Sequence, residues 1–306
     1  MAGKNAAPPE RTFPDVWEAL DKDAISTAIL PPGGTLSDFD FEDAKACVYA
    51  AAERWLVEDL GNLVVTGLEC REQLQPENGI GQEVKAFVDM KASVLSTPRH
   101  TVFRPYAGQT IVLDWKSARS ALDTRWSDRL INSQQWRLYA AATDAKLFIY
   151  RGIRRRQRPN EDPETRSIIL EVPENNLAET KAYAAGVYHM RQALVNSNLP
   201  IWPRNMPAAC HEFQRPCPYL PDCESGTSPH TGGADKILSY SSMKDFLACP
   251  ERHRRNSMPD STSGDNNDTL FGNAVHRGLA EVWSQVFGVP VEERETRKEN
   301  ESIESD

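Results

Sequence analysis

The sequence predicts an α/β fold, a mixed central sheet flanked by helices. Three observations carry this. The apolar runs NLVVTGLEC, EVKAFVDMKA and QTIVLDWKSA read as strands and follow one another through short connections. Segments with apolar positions at helical spacing bracket them, among them FEDAKACVYAAAERWLVEDL and NNLAETKAYAAGVYHMRQALVNS. Two more strand-like runs, KLFIYRG and RSIILEVP, come only after a helix, so strands and helices do not strictly alternate. A chain of 306 residues is long enough to bury a sizeable core.

The elements follow in order. Residues 1–36 are a proline-rich N-terminal extension, expected to be partly disordered, with one short helical stretch, DVWEALDK. Residues 37–223 form the main unit. It opens with the helix at 41–60, whose first turn is acidic, and continues through the three strands. DRLINSQQWRLYAAATDA reads as a single helix, and the last two strands and the long amphipathic helix come after it. The unit ends in LPIWPRNMPAACHEFQRPCPYLPDC, rich in proline and cysteine. Residues 224–236 have the Gly/Ser/Thr composition of a linker. Residues 237–290 hold two helical segments, SSMKDFLACPERHRR and GNAVHRGLAEVWSQVF, joined by a polar loop. Residues 291–306 are mostly charged or polar, and disorder is expected there.

No apolar stretch approaches the roughly 20 residues of a membrane span, and the N-terminus has no apolar signal core. These features predict an intracellular, cytoplasmic protein with no membrane association. A net charge of −9 argues against non-specific duplex binding. Locally, YRGIRRRQRP gathers Arg151, Arg154, Arg155, Arg156 and Arg158, either a solvated turn or a patch facing nucleic acid. Of six cysteines, Cys47 and Cys70 lie in apolar sequence and read as buried thiols. Cys210, Cys217, Cys223 and Cys249 lie in proline-rich or turn-like sequence, where metal binding is the better explanation in a reducing compartment.

IVLDWKSA poses the chemical question. Residues i and i+2 of a strand share a face, so Asp114 and Lys116 project together while Trp115 points into the core. An acid placed there can hold a divalent metal through oxygen, and a lysine can orient a water or steady charge on a phosphate. Asp89, late in the preceding strand, is placed to be a second ligand if the strands pair. The plain alternative is a strand-end salt bridge. Gln135 and Tyr139 follow at i, i+4, on one face of a helix.

In combination these elements resemble the PD-(D/E)XK nucleases of the RecB and AddB type, including the CRISPR-associated RecB-like exonucleases. Asp89 matches the first motif acid, Asp114 and Lys116 the D/E-x-K, and Gln135 and Tyr139 the Q-x-x-x-Y. Glu69 stands where the family often has a supporting acid. VDMK at 88–91 is a competing D-x-K, but 114–116 lies on the more apolar strand and precedes the Gln-Tyr helix. The resemblance implies a restriction-endonuclease-like core. It also implies a [4Fe–4S] cluster on Cys210, Cys217, Cys223 and Cys249, for which CPYLPDC supplies a C-x5-C. Six residues separate Cys210 from Cys217, where the family usually has two. A zinc site on the same thiolates and unrelated cysteines remain as alternatives.

The motif order departs from the family. LSYSSMKDFLACPERHRR with Cys249, and LFGNAVHRGLAEVW with the metal-binding motif histidine His276, should precede Asp89 and here come last. A circular permutation would produce this order. The linker spans roughly 20 Å as a coil, enough to join neighbouring ends. Parts of two tandem copies would produce it too. The implied function is a Mg²⁺- or Mn²⁺-dependent deoxyribonuclease, an exonuclease acting in DNA repair, recombination or phage and CRISPR processing. His276, Asp89, Asp114 and the Trp115 carbonyl would bind metal and Lys116 would position water. The implied partners are single-stranded DNA or duplex ends, with a helicase or integrase beside it. The alternatives are a catalytically silent DNA-binding scaffold with a structural cluster, and a cysteine-metal interaction module.

Overall fold

Strand-forming runs that alternate or are wholly apolar assemble into one sheet. The computed structural model describes residues 12–30, 36–74, 84–156, 158, 161–197, 199, 202–203, 217, 219–221, 238–256 and 267–292. Strands β1 (Leu63–Leu74), β2 (Val84–Val94) and β3 (Thr110–Ala118) form the antiparallel meander that the sequence predicts. β4 (Leu147–Arg154) then returns parallel to β3, and β5 (Glu164–Glu171) pairs antiparallel to β4. The order is β1-β2-β3-β4-β5. A two-residue strand, β6 (Leu238–Ser239), lies parallel to the start of β2.

Helices cover both faces. On one side lie α1 (Phe13–Ala19), α2 (Lys22–Ile29), α3 (Asp38–Asp59) and the long α9 (Asn267–Phe287). Their core includes Ile25, Ile29, Trp55, Trp115 and Trp283, all buried. On the other side lie α4 (Thr124–Ile131), α5 (Gln134–Thr143), α6 (Asn176–Asn196) and α7 (Tyr240–Ala248), around Trp126, Trp136, Phe148 and Phe246. The short α8 (Pro250–Asn256) follows α7. The expected mixed sheet flanked by helices is present. Among the described residues, no helix is long and apolar enough to cross a membrane.

Local chemistry divides some elements that the periodicity joins. The single helix expected over DRLINSQQWRLYAAATDA is two, because the Ser133 hydroxyl accepts the Gln135 N–H and starts α5 afresh. Trp136 Nε1 donates to the Ile131 carbonyl at the end of α4, folding the second helix back on the first. Cys249 is extended, as a residue before proline must be, and Pro250 opens α8. Two helices stand in the N-terminal region where one is expected. α2 is capped by Asp21 and buries Ile25 and Ile29 against α9.

The late segment belongs to the same core. Trp283 of α9 donates through Nε1 to Asp59 Oδ2 (2.8 Å), and Arg151 of β4 grips the same carboxylate with both terminal nitrogens (2.7 and 2.5 Å). All three side chains are buried. Gly278 lets α9 approach, since a Cβ there would lie 2.7 Å from Val48 and 2.9 Å from Ile29. The linker region 224–236 and residues 293–306 lie outside the described residues.

A candidate metal centre at the fork of the sheet

β2 and β3 pair only from Met90–Ser93 to Leu113–Thr110. One step further, Asp89 would face Asp114, and there the strands separate. β3 runs on to Ala118 paired with β4 alone, while the far end of the same β2 edge, Val84 and Lys85, pairs with β6. The opening between β3 and β6 is a fork. Asp89 closes its apex by accepting the Trp115 amide on Oδ2 at 2.7 Å. The N–H and C=O of a strand residue leave the same edge, so the Trp115 carbonyl faces the fork as well.

β1 is bent at the same level. Leu68 and Met90 are cross-strand partners in the first core, whereas the next paired positions, Cys70 and Val88, belong to the second. Strict period-two alternation would keep both pairs on one side. The break falls at Glu69, which adopts a left-handed φ of 53°. Such a conformation costs a non-glycine residue about 1–3 kcal/mol. The bend places Glu69 opposite Asp89. Glu69, Asp89 and His276 offer ligand atoms that all lie within 4.8 Å of one another.

His276 arrives from α9, some 190 residues further along the chain than Asp89, with Nδ1 3.4 Å from Asp89 Oδ1. Buried Trp115 presents its ring edge-on to the imidazole at 6.3 Å and leans on Trp283 at 5.5 Å. One turn before His276, Gly272 allows the helix to sit against β3, for a Cβ would lie 3.0 Å from Ser117 Oγ.

Asp114 and Lys116 do project together. Lys116 Nζ lies 2.5 Å from Asp114 Oδ2, with the lysine partly exposed and the acid buried. Gln135 Nε2 reaches both Asp114 Oδ1 (3.4 Å) and the Tyr139 hydroxyl (3.1 Å). Burial raises the Asp114 pKa to about 6, with Lys116 opposing and the Asp89 charge adding to the rise. For His276 burial works against the imidazolium, yet Asp89 and Glu69 hold its pKa above the ordinary value. Three carboxylates thus crowd into low dielectric around Lys116 and His276, and Glu69 also feels the Arg277 guanidinium.

The structure thus gathers Asp89, Asp114, Trp115, Lys116, Gln135, Tyr139 and His276 from one sheet fork and two helices. In the competing VDMK motif Lys91 is directed to Glu72, at 2.5 Å. Glu69, a supporting acid in the sequence reading, is a full member of the metal-ligand group. No sequence pattern signals its left-handed backbone.

The cysteines are not brought together among the described residues. Cys249 is buried and its Sγ accepts the Arg252 N–H at 3.5 Å, while Cys217 is half-buried. Cys210 and Cys223 lie outside the described residues. No group of three metal-binding side chains among the described residues includes a cysteine. The chain entering the cysteine-rich stretch is nonetheless pinned beside α8, for the Trp202 amide donates to Glu251 Oε2 at 3.0 Å.

The arginine-rich stretch is committed inward. Arg151 is buried on Asp59, Arg154 pairs with Glu161 and Glu164, and Arg155 and Arg156 pair with Asp40 and Asp43 of α3. These four arginines hold α3 and the loop after β4 to the sheet, a third role beside the solvated turn and the nucleic-acid patch that the sequence leaves open, while Arg158 is exposed.

No protein-family model matches the chain, and no curated protein matches it. Among solved structures the chain is similar to one described as the crystal structure of SSO0001. The identity is 15%, over 44% of this chain and 54% of that one, with a TM-score of 0.25. The chain spans about half the length of that protein.

Proposed function

We propose that this chain is a metal-dependent deoxyribonuclease of the PD-(D/E)XK type on a restriction-endonuclease-like core. One observation carries the reading: Lys116 Nζ sits on the buried Asp114 carboxylate at a fork where Glu69, Asp89 and His276 offer three further ligands. A surface ion pair needs no such company.

The donor set fits a hard divalent cation, three buried carboxylates and one imidazole. Asp89, Glu69 and His276 would hold Mg²⁺ or Mn²⁺, with Asp114 and the Trp115 carbonyl on the same opening. Such a cation would polarise the scissile phosphate and offset the charge that develops on it. The chain's own groups do the rest. The Lys116 ammonium donates to the attacking water and aims it in line with the phosphodiester. Asp114 holds that ammonium in place. Gln135 fixes Asp114 from behind and is itself held by Tyr139, and both line the path of a DNA strand. Trp115 keeps the His276 ring upright against Asp89.

The order of the segments fits a circular permutation. β6, α7 and α9 follow the linker in sequence, yet they pack on the sheet that carries Asp89 and Asp114, and His276 completes the ligand set within one chain. Cys249 at the start of α8, with Trp202 docked beside it, suits a [4Fe–4S] cluster shared with Cys210, Cys217 and Cys223. The substrates would be DNA ends or single strands, and exonuclease action beside a helicase or integrase is the expected setting.

The test is incubation of anaerobically purified protein with end-labelled single- and double-stranded DNA and Mn²⁺, beside Lys116→Ala. Degradation by the parent and none by the folded variant is the expected result. No cleavage by folded, metal-loaded parent protein would replace the nuclease with a silent DNA-binding scaffold.

A further inference from the structure

Among the described side chains, Phe87 is the only phenylalanine, tyrosine or tryptophan left exposed, at 37%. It stands in β2, two residues before the metal-centre acid Asp89. Val84, Ala86 and Val88 of the same strand face the core around Trp126 and Phe148. Alternation along the strand therefore turns Phe87 to the opposite face, the one over which α9 carries His276. Neither apolar core includes its ring. The ring thus projects beside the metal centre without serving the packing of the sheet.

Its neighbours on that face are polar. Arg71 is its cross-strand partner, and Lys85, next on the same face of β2, stands opposite Gln73. Arg71 and Lys85 bring positive charge to the ring, and Asp89 follows it on the strand. Cations interleaved with an aromatic ring are what a surface for single-stranded nucleic acid requires: the cations attract the backbone and the ring takes a base. A protein-docking face would surround the ring with further apolar side chains. Phe87 and Asp89 lie about 6.6 Å apart along the strand, which matches one nucleotide's step in an extended single strand. We infer that Phe87 is the stacking platform for the base adjoining the scissile phosphate, so that the site takes its DNA as an unpaired strand. The inference rests on the nuclease reading of the metal centre.

The physics of stacking fixes the substrate class. Within a duplex the faces of each base are covered by its neighbours, and only an unpaired base can lie flat on a protein ring. A base held on Phe87 would anchor the strand beside Glu69, Asp89 and His276, so that the adjoining phosphate meets the metal and Lys116. Every base has a π-face, so this contact carries little sequence preference.

The test is a fluorescence-anisotropy titration of a labelled single strand with Mn²⁺, on the full chain carrying Lys116→Ala so that nothing is cut. In that background Phe87→Ala should weaken binding roughly five- to a hundredfold. Phe87→Leu, which keeps the apolar bulk, should fall with it, and Phe87→Trp should restore the affinity. All three variants should keep the fold by circular dichroism, since neither core includes the ring. A second arm uses a fully abasic strand, which has the phosphates and no bases. There Phe87 and Phe87→Ala proteins should bind alike. A blunt duplex should bind more weakly than the single strand and be indifferent to the substitution. Phe87→Ala binding as tightly as its background, Phe87→Leu behaving as phenylalanine, or an equal loss on the abasic strand would each overturn the inference. So would a duplex held as tightly as the single strand. Cleavage by the parent chain tests the nuclease reading on its own: a parent that cuts, with single-strand binding unmoved by Phe87→Ala, keeps the nuclease and loses the platform.

Discussion

Two buried polar clusters lie on either side of Trp283, and they are built to opposite rules. In one, Asp59 accepts two hydrogen bonds from Arg151 and one from Trp283, at 2.5–2.8 Å, and its charge is cancelled. In the other, Glu69, Asp89 and Asp114 crowd around Lys116 and His276, and Asp114 has its pKa raised by burial. The His276–Asp89 contact is 3.4 Å long, Gln135 reaches Asp114 at 3.4 Å, and Glu69 holds a left-handed backbone. The first cluster pairs its charges at short range and so fastens three elements. The second carries a carboxyl with a raised pKa and a strained backbone, which a fold tolerates where a ligand is to be bound. Burial alone does not separate structure from function here. The tightness of the pairing and the strain in the backbone do.

The comparison breaks most visibly at Lys116. Lys116→Ala should lower nuclease turnover by on the order of 10²–10⁴-fold, read per molecule shown to be folded by circular dichroism. Asp59→Ala should do the reverse. It strands Arg151 in the core and should cost about 3–5 kcal/mol of stability, read by urea denaturation. Activity per folded molecule should survive.

Metal sharpens the contrast. Mn²⁺ at a hundred times its dissociation constant should stabilise the parent by about 2.7 kcal/mol, and Asp89→Asn should abolish the shift in a thermal melt. A shift of equal size in both would place the cation elsewhere. Asp114 should also reveal itself without metal. Its folded-state pKa of about 6 lies above the ordinary carboxyl value of 3.8, so the folded state holds the proton more tightly than the unfolded chain. The stability this contributes is complete below the unfolded value and is lost as pH rises through about 6. Asp114→Asn should therefore stabilise the metal-free protein at pH 7 by on the order of 1–3 kcal/mol and flatten that part of its pH profile. A variant less stable than the parent at pH 7 would sink this account of the burial.

The smallest effect is expected at Gly272. Alanine there meets Ser117 Oγ at 3.0 Å and must push α9 from β3 by a few tenths of an ångström. The cost should be about 1 kcal/mol, with weaker Mn²⁺ binding through the displaced His276.

Much of this was legible in the residues. The three-strand meander, the later pair of strands and the long helices follow from composition and period. The convergence of Asp114 and Lys116 follows from i, i+2 geometry, and the burial of Trp115, Cys47 and Cys70 from their apolar neighbours. Three features were not legible. The arginines at 151–156 carry the same charge whether they face DNA or Asp40, Asp43 and Asp59, and only long-range packing chooses. The helix break at Ser133 depends on one hydroxyl finding one amide. The left-handed Glu69 follows from the need to hand the sheet's buried side chains from one helical layer to the other, and no local preference encodes that.

The sequence by itself therefore determined the strands, the long helices and the local pairing of Asp114 with Lys116, because these rest on periods of two and 3.6 residues and on neighbours in the chain. Tertiary structure decided where β2 parts from β3, which brings Asp89 opposite Asp114. It decided that His276 reaches Glu69 and Asp89 from the far end of the chain, and which charges are balanced. Those outcomes depend on contacts between residues tens to hundreds of positions apart, where burial and Coulomb energy outweigh any local propensity.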